Sequence, residues 1–235
     1  MIVYPEKWNY IGKKITIRKI EKALLEILSR IPSNNLAFSG GLDSSLLLHY
    51  LSMIHNKVRA FTIGLSENHP DVLFSKLLIR NYQNIEHIIY IPTIAERTKK
   101  GKNIKFKGDN AVRLFYKFVS QYTNNIIAGD GLDEFMCGYY IHQFNPNEKI
   151  YYKYISKLQK EQLRPLNNNS GKVKVYLPYL DEKLIYLYSQ IPISDKVDKN
   201  GRKKIIQMIA KSKLPEEIIK RRKYGFCNIF QEKKT

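Results

Sequence analysis

Leu36-Ala37-Phe38-Ser39-Gly40-Gly41-Leu42-Asp43-Ser44-Ser45-Leu46-Leu47-Leu48 runs from one apolar stretch, through a serine- and glycine-rich turn, into another. The pattern predicts a strand, a glycine turn and a helix. Glycine at the turn lets the backbone approach a ligand with no Cβ in the way. The helix that follows turns its unpaired N–H groups and the positive end of its dipole toward the same spot. With the hydroxyls of Ser39, Ser44 and Ser45, Gly40 and Gly41 make a cradle for a polyphosphate. Asp43 would repel phosphates unless a divalent cation lay between them, and Mg²⁺ favours one or two carboxylates plus phosphate oxygens. The stretch has neither the Gly-Lys-Ser/Thr end of a Walker loop nor a Gly-x-Gly-x-x-Gly spacing. Ordinary kinase and dinucleotide readings are therefore poor ones.

Outward from this loop the chain alternates. Ile17, Ile20, Leu24, Ile27, Leu28 and Ile31 recur at helical spacing and predict a helix over 16–31. Strands are expected at 35–38, 58–64, 87–91 and 125–128, with helices at 44–55, 69–82 and 110–123 between them. Residues 97–108, with six lysines or arginines, read as a surface loop. Strands alternating with helices predict an α/β fold with a mostly parallel sheet and flanking helices. Such sheets bind ligands beyond the carboxyl ends of their strands, where the loops after Phe38 and after Ala128 lie. From about 145 onward no strand signal remains. Helices at 148–162, 182–190, 202–212 and 216–222 are expected, separated by Pro165, an Asn167-Asn168-Asn169 turn, Pro178 and Pro192. The chain reads as one domain over 1–235, with an α/β nucleotide-binding part to about 145 and a helical part over 146–235.

Gly129-Asp130-Gly131-Leu132-Asp133-Glu134 follows the fourth predicted strand. Three carboxylates in five residues repel one another, and a cation is the obvious reason for a packed fold to keep them together. Asp133 facing Asp43 across a cleft would let the two share Mg²⁺. The plainer reading is a solvated acidic turn capping the next helix.

Composition sets bounds. With 235 residues, 43% of them apolar, there is material for one good core or a core with a smaller lobe. No run approaches the ~18 apolar residues of a membrane span. Cys137 and Cys227 are too few for a disulfide framework. A cytoplasmic protein is expected. The net charge of +19 attracts polyanions, either nucleic acid or, through a local patch, ATP and pyrophosphate.

These motifs together resemble the asparagine synthetases, within the PP-loop ATP pyrophosphatases. The first loop has their Ser-Gly-Gly-Leu-Asp-Ser-Ser spelling, and Ala128–Glu134 followed by Cys137-Gly138-Tyr139 resembles their Ser-Gly-Glu-Gly-Ser/Ala-Asp-Glu and Gly-Gly-Tyr. Ala60–Leu65 with Asp71, Leu177-Pro178-Tyr179-Leu180-Asp181, Gly201–Gln207, Leu214-Pro215 and Arg222-Lys223-Tyr224-Gly225-Phe226 match in order. The resemblance implies an adenine nucleotide alpha hydrolase-like fold and a synthetase domain. ATP would activate a carboxylate, aspartate for choice, as an acyl-adenylate, and ammonia or an amine would then form the amide. Ser39, Gly40, Gly41 and Ser44, with Gly129 and Gly131, would hold the nucleotide. Asp43 and Asp133 would hold Mg²⁺, Lys203 would be the catalytic lysine, and Asp130 would stand for the family's catalytic Glu.

The departures fall mostly on the acceptor side. Asp130 is one methylene shorter than that Glu, Gln207 stands in place of an Arg, and Lys174-Val175-Tyr176 replace a Glu-x-Arg; Arg164 resembles an upstream Arg that could compensate. Cys137 takes the place of a Gly and reads as a packing residue. The nucleotide loop comes at residue 39, so a glutaminase domain is not expected in the chain. Free ammonia, another amine, or a separate glutaminase or other partner subunit would supply nitrogen. Two alternatives remain: a PP-loop enzyme adenylating bases in RNA, and a non-catalytic nucleotide-binding partner.

Overall fold

The computed structural model describes residues 15–99, 108–224 and 230. In chain order the elements are α1 (Ile17–Arg30), β1 (Asn35–Ala37), α2 (Leu42–Ile54), β2 (Val58–Ile63), α3 (Pro70–Ile79), β3 (Ile85–Tyr90), α4 (Ile94–Thr98), α5 (Asp109–Val119) and β4 (Asn125–Ile127). Then follow α6 (Leu132–Phe135), α7 (Tyr140–Phe144), α8 (Glu148–Leu158), α9 (Arg164–Asn169), β5 (Lys174–Tyr176), α10 (Glu182–Ser189), α11 (Ile193–Lys196), α12 (Lys204–Ala210) and α13 (Glu216–Ile219). The chain gathers into two compact units. One comprises Ser33–Ala128, Lys160–Tyr176 and the stretch from Leu214 on; the other comprises the stretch to Pro32, Gly129–Gln159 and Leu177–Lys213.

The first unit holds the sheet. All five strands are parallel, in the order β3-β2-β1-β4-β5, which is the adenine nucleotide alpha hydrolase fold. Leu36 lies opposite Ala60 on one side and Ile127 on the other. β1 has strands on both sides, and Leu36-Ala37-Phe38 from its middle onward is apolar rather than alternating. Phe61, Ile63 and Ile126 pack with Ala111, Phe115 and Val119 of α5. α2 packs against β1 and β2 through a row of leucines, Leu46, Leu47, Leu48 and Leu51, that are at most 1% exposed.

The second unit is helical. Ile20, Leu24, Ile27 and Leu28 of α1 are buried, and α1 contacts α10 and α12, whose Leu184, Tyr188, Ile206 and Ile209 are buried too. The i, i+4, i+7 spacing in α1 supplies that face directly.

The first four strands fall where the sequence puts them. β5 does not, because Lys174–Tyr176 is too short for period-2 alternation to register. Pro165 does not end a helix either. α8 opens into a π-turn over Gln159–Leu163 and resumes as α9, with Pro165 in its first turn, where a missing N–H is cheap. Asn167, Asn168 and Asn169 belong to α9 rather than to a turn. Within the predicted surface loop, α4 ends at Thr98 behind a Thr93–Glu96 capping box; residues 100–107 lie outside the described residues. Among the described residues no helix is long and apolar enough to cross a membrane.

Two histidines, His69 buried and His87 half-buried, tie this sheet to pH. The His87 Nε2–H donates at 2.9 Å to Thr62 Oγ1, which itself donates to the Phe38 carbonyl. The His69 Nδ1 accepts from the Asp71 amide at 3.2 Å. Burial is the main cause that lowers each to about 4. Between pH 6.5 and 4 the unfolded chain therefore binds protons that the folded one refuses, and stability falls as pH falls. Asp71, raised to about 6 chiefly by burial, works the other way and offsets part of this. Discounting for partial solvation, unfolding by urea at pH 5 should give a stability about 1–2 kcal/mol below that at pH 7.5. His87→Gln should remove about half of the slope.

Candidate active site

In the sheet unit, pairing runs one residue past β1, where the Phe38 N–H donates to the Phe61 carbonyl at 2.8 Å. The chain then turns. Gly40 sits at φ +67, in the left-handed region, and a Cβ there would lie 2.5 Å from the Ser75 backbone nitrogen and 2.6 Å from the Phe74 carbonyl carbon. Both are backbone atoms of α3, which cannot give way. Gly40→Ala should therefore lower stability by about 2–4 kcal/mol, combining left-handed strain and overpacking, as read by chemical unfolding.

Gly41 is the N-cap of the 13-residue α2 and brings no side chain to cap it. Ser39 and Ser44 close the turn: their hydroxyls are 3.2 Å apart, the Ser39 N–H donates to Ser44 Oγ at 3.3 Å, and the Ser44 hydroxyl donates to the Gly41 carbonyl at 3.2 Å. Asp43 lies half-buried in the first turn of α2. A helix start with no side-chain cap, two hydroxyls and a backbone cradle fit a pyrophosphate.

Arg221, from the far end of the chain, braces this loop within the same unit. Its Nη1 donates to the Ser39 carbonyl at 2.6 Å, its Nη2 pairs with the Asp71 carboxylate, and its guanidinium lies 4.7 Å from the centre of the Phe74 ring. Only about 5% of each side chain, Arg221 and Asp71, is exposed. Sequence reasoning singled out Asp71 but passed over Arg221. The stretch matched from Arg222 thus has its inward-facing arginine one residue earlier, at Arg221. Gly225 and Phe226 lie outside the described residues, as does Cys227.

The helical unit holds the second group of expected residues. Gly129 and Asp130 are half-buried, and Gly131 turns the chain at φ +93, with Leu180 Cδ2 2.2 Å from where a Cβ would stand. In α6, Asp133 forms an ion pair with Lys203 at 2.7 Å, with 16% and 9% of the two side chains exposed. Glu134 is fully buried and accepts a hydrogen bond from the Tyr139 hydroxyl. Lys203 adopts the left-handed conformation at φ +52. This sends it and Arg202 to different parts of the loop: Arg202 Nη1 donates to the Gly138 carbonyl at 2.6 Å and its guanidinium stacks 3.7 Å from the Tyr140 ring centre. Gly138 leaves the room the ion pair occupies, since a Cβ there would be 1.8 Å from Asp133 Oδ1 and 2.3 Å from Lys203 Cε.

Cys137 also adopts a positive φ, of 56, at the place where the Gly-Gly-Tyr pattern has glycine. It is buried, and burial pushes its thiol up to about 11, so it acts as packing rather than as a nucleophile. Gln207 donates to the Arg202 carbonyl at 2.8 Å and so supports the turn that carries Lys203.

Among the described residues no three His, Cys, Asp or Glu side chains form a metal cluster. A magnesium ion would fit here in the manner it prefers, on one or two carboxylates with phosphate oxygens completing its shell.

A family model described as asparagine synthase matches residues 35–174 and 169–234. Among curated protein sequences none matches. Of solved structures, the NMN synthetase from Francisella tularensis aligns with a TM-score of 0.53 at 15% identity, over 93% of this chain and 79% of that one. The NH3-dependent NAD synthetase from Campylobacter jejuni subsp. jejuni aligns with a TM-score of 0.42 at 18% identity, over 86% of this chain and 99% of that one. The first likeness is one of fold.

Proposed function

This chain belongs to the asparagine synthase family, among the PP-loop ATP-using enzymes, and from that membership we propose that it is an AMP-forming amide ligase. ATP activates a carboxylate, with aspartate the favoured acceptor, as an acyl-adenylate. Pyrophosphate leaves, and ammonia or an amine attacks the acyl carbon to release AMP and the amide. Ser39, Gly40, Gly41 and Ser44 hold the departing pyrophosphate, with Gly129 and Gly131 completing the nucleotide site. Asp43 and Asp133 are the carboxylates for Mg²⁺, which offsets phosphate charge when bound. Lys203 stabilises charge that grows on the reacting groups, a task for a fixed ammonium in a site poor in water. Asp130 orients the activated acid and takes up the nucleophile's proton.

One observation carries this reading. A lysine with 9% of its side chain exposed is held 2.7 Å from a carboxylate of the acidic loop, and a glycine is needed to leave it room. A solvated acidic turn needs none of that. The departures at Asp130 and Gln207 bear on the acceptor side of the site rather than on the nucleotide side. Incubation with ATP, ammonium and each of a panel of amino acids, followed by product analysis, tests the reading. AMP and pyrophosphate should appear in equal amounts, and only with an acceptor; ADP and phosphate would refute it.

A further inference from the structure

Lys196, the last residue of α11, is fully enclosed within the helical unit. Its Nζ donates at 2.7 Å to the Tyr151 hydroxyl of α8 and lies 4.2 Å from the centre of the same ring. A second group close to it is the Cys137 thiol, which burial pushes up to about 11, so it offers no negative charge at neutral pH. Among the described residues the hydrogen bond and the charge interaction of this lysine are thus with a hydroxyl and a thiol, not with a carboxylate. Burial pulls its ammonium down to about 7.

Such a placement works against stability. A buried amine loses its hydration, and one phenol does not replace it. A methionine would fill the same space without that cost. The proposed chemistry uses Lys203 and has no task for Lys196. What the amine does reach is the acidic loop. The Tyr151 hydroxyl has a single proton. Because its oxygen accepts from Lys196, that proton is directed onward, and it goes to the Phe135 carbonyl at 3.3 Å. Phe135 ends α6, and the last carbonyls of a helix look outside it for donors. α6 is only four residues long, too short to hold its place by itself. It is closed by the Met136 N–H on the Leu132 carbonyl at 2.9 Å and by the Gly138 N–H on the Asp133 carbonyl at 2.7 Å.

We propose that Lys196 is a positioning residue for the acidic loop: through the Tyr151 hydroxyl and the Phe135 carbonyl it fixes α6, and so sets where Asp133 and its partner Lys203 stand. This rests on the ligase reading, in which those two residues act on the nucleotide and the reacting groups. The lysine touches neither of them. It is kept at the expense of stability because the link it anchors serves the reaction.

Lys196→Met in the whole chain tests this, with chemical unfolding, amide hydrogen exchange and steady-state kinetics measured on the same preparations. The unfolding midpoint should be no lower than that of the natural chain. The Met136 and Gly138 amides should nevertheless exchange about tenfold faster, while amides elsewhere in the helical unit keep their protection. kcat for amide formation should fall by about 10- to 100-fold through misplacement of the reacting groups. The KM for ATP should stay within about twofold, since the pyrophosphate cradle is untouched. Tyr151→Phe should loosen the same two amides with the lysine still in place, and the double variant should turn over no more slowly than Lys196→Met alone. A lower midpoint with exchange raised throughout would make Lys196 a support of the fold alone, and would overturn the proposal. So would unchanged exchange at Met136 and Gly138, or a loosened loop with full kcat. If the natural chain forms no AMP and pyrophosphate with any acceptor, the ligase reading falls; the exchange of those two amides then decides by itself whether Lys196 fixes the loop.

Discussion

Lys203→Met should lower the rate of amide formation by about 10³-fold while ATP still binds. Removing one preorganised donor from a site that stabilises developing charge costs about 10²–10³ in kcat. Lys203 also neutralises Asp133 at 2.7 Å in a nearly closed setting, so its loss leaves a poorly solvated carboxylate as well. Arginine should not rescue it. Gly138 packs so tightly here that a single Cβ would stand 2.3 Å from Lys203 Cε, and a planar guanidinium has no room. Steady-state kinetics should show the loss in kcat with the KM for ATP little changed. A variant keeping a tenth of the activity would remove Lys203 from the reaction. Gly138→Ala offers a second view, since it displaces the same ion pair without touching either partner.

Arg221→Met should destabilise the chain by about 3–5 kcal/mol, because it strands the buried Asp71 carboxylate without its partner. Asp71→Asn should destabilise as well, since it leaves the buried Arg221 guanidinium without its carboxylate. The double variant should recover a good part of the single loss, and a double-mutant cycle measures how much. The effect reaches function through Ser39, whose carbonyl accepts from Arg221 at 2.6 Å. Without that brace the loop loosens, and the KM for ATP rises. pH should act the same way. Asp71 is raised to about 6, chiefly by burial, so below that pH it takes up a proton and lets go of Arg221. The KM for ATP should therefore climb as pH falls through 6, and Asp71→Asn should flatten the climb.

The sheet and the serine–glycine loop could be read from sequence for one reason: glycine, hydroxyl and carboxylate stand at fixed spacing between two apolar runs, and local physics settles each in turn. Asp133 and Lys203 lie far apart in the chain, and only motif order linked them; the structure adds the ion pair and the glycine that makes room for it. Arg221 escaped because Arg221-Arg222 offers two adjacent guanidiniums, and nothing local says which turns inward. Arg202 was hidden for the same reason beside Lys203 and Lys204. β5 was too short to show a period. The π-turn after α8 has no sequence signature strong enough to outweigh Pro165, which ordinarily argues for a stop.

The central claim is that the loop from Ser39 to Ser44 handles pyrophosphate leaving an activated carboxylate. Isotope exchange between pyrophosphate and ATP, measured with the preferred amino acid and no ammonia, tests it most directly. Exchange should require the amino acid, proceed in the natural chain and disappear in Asp43→Ala. Exchange that survives that substitution, or that runs without any carboxylate present, would contradict it.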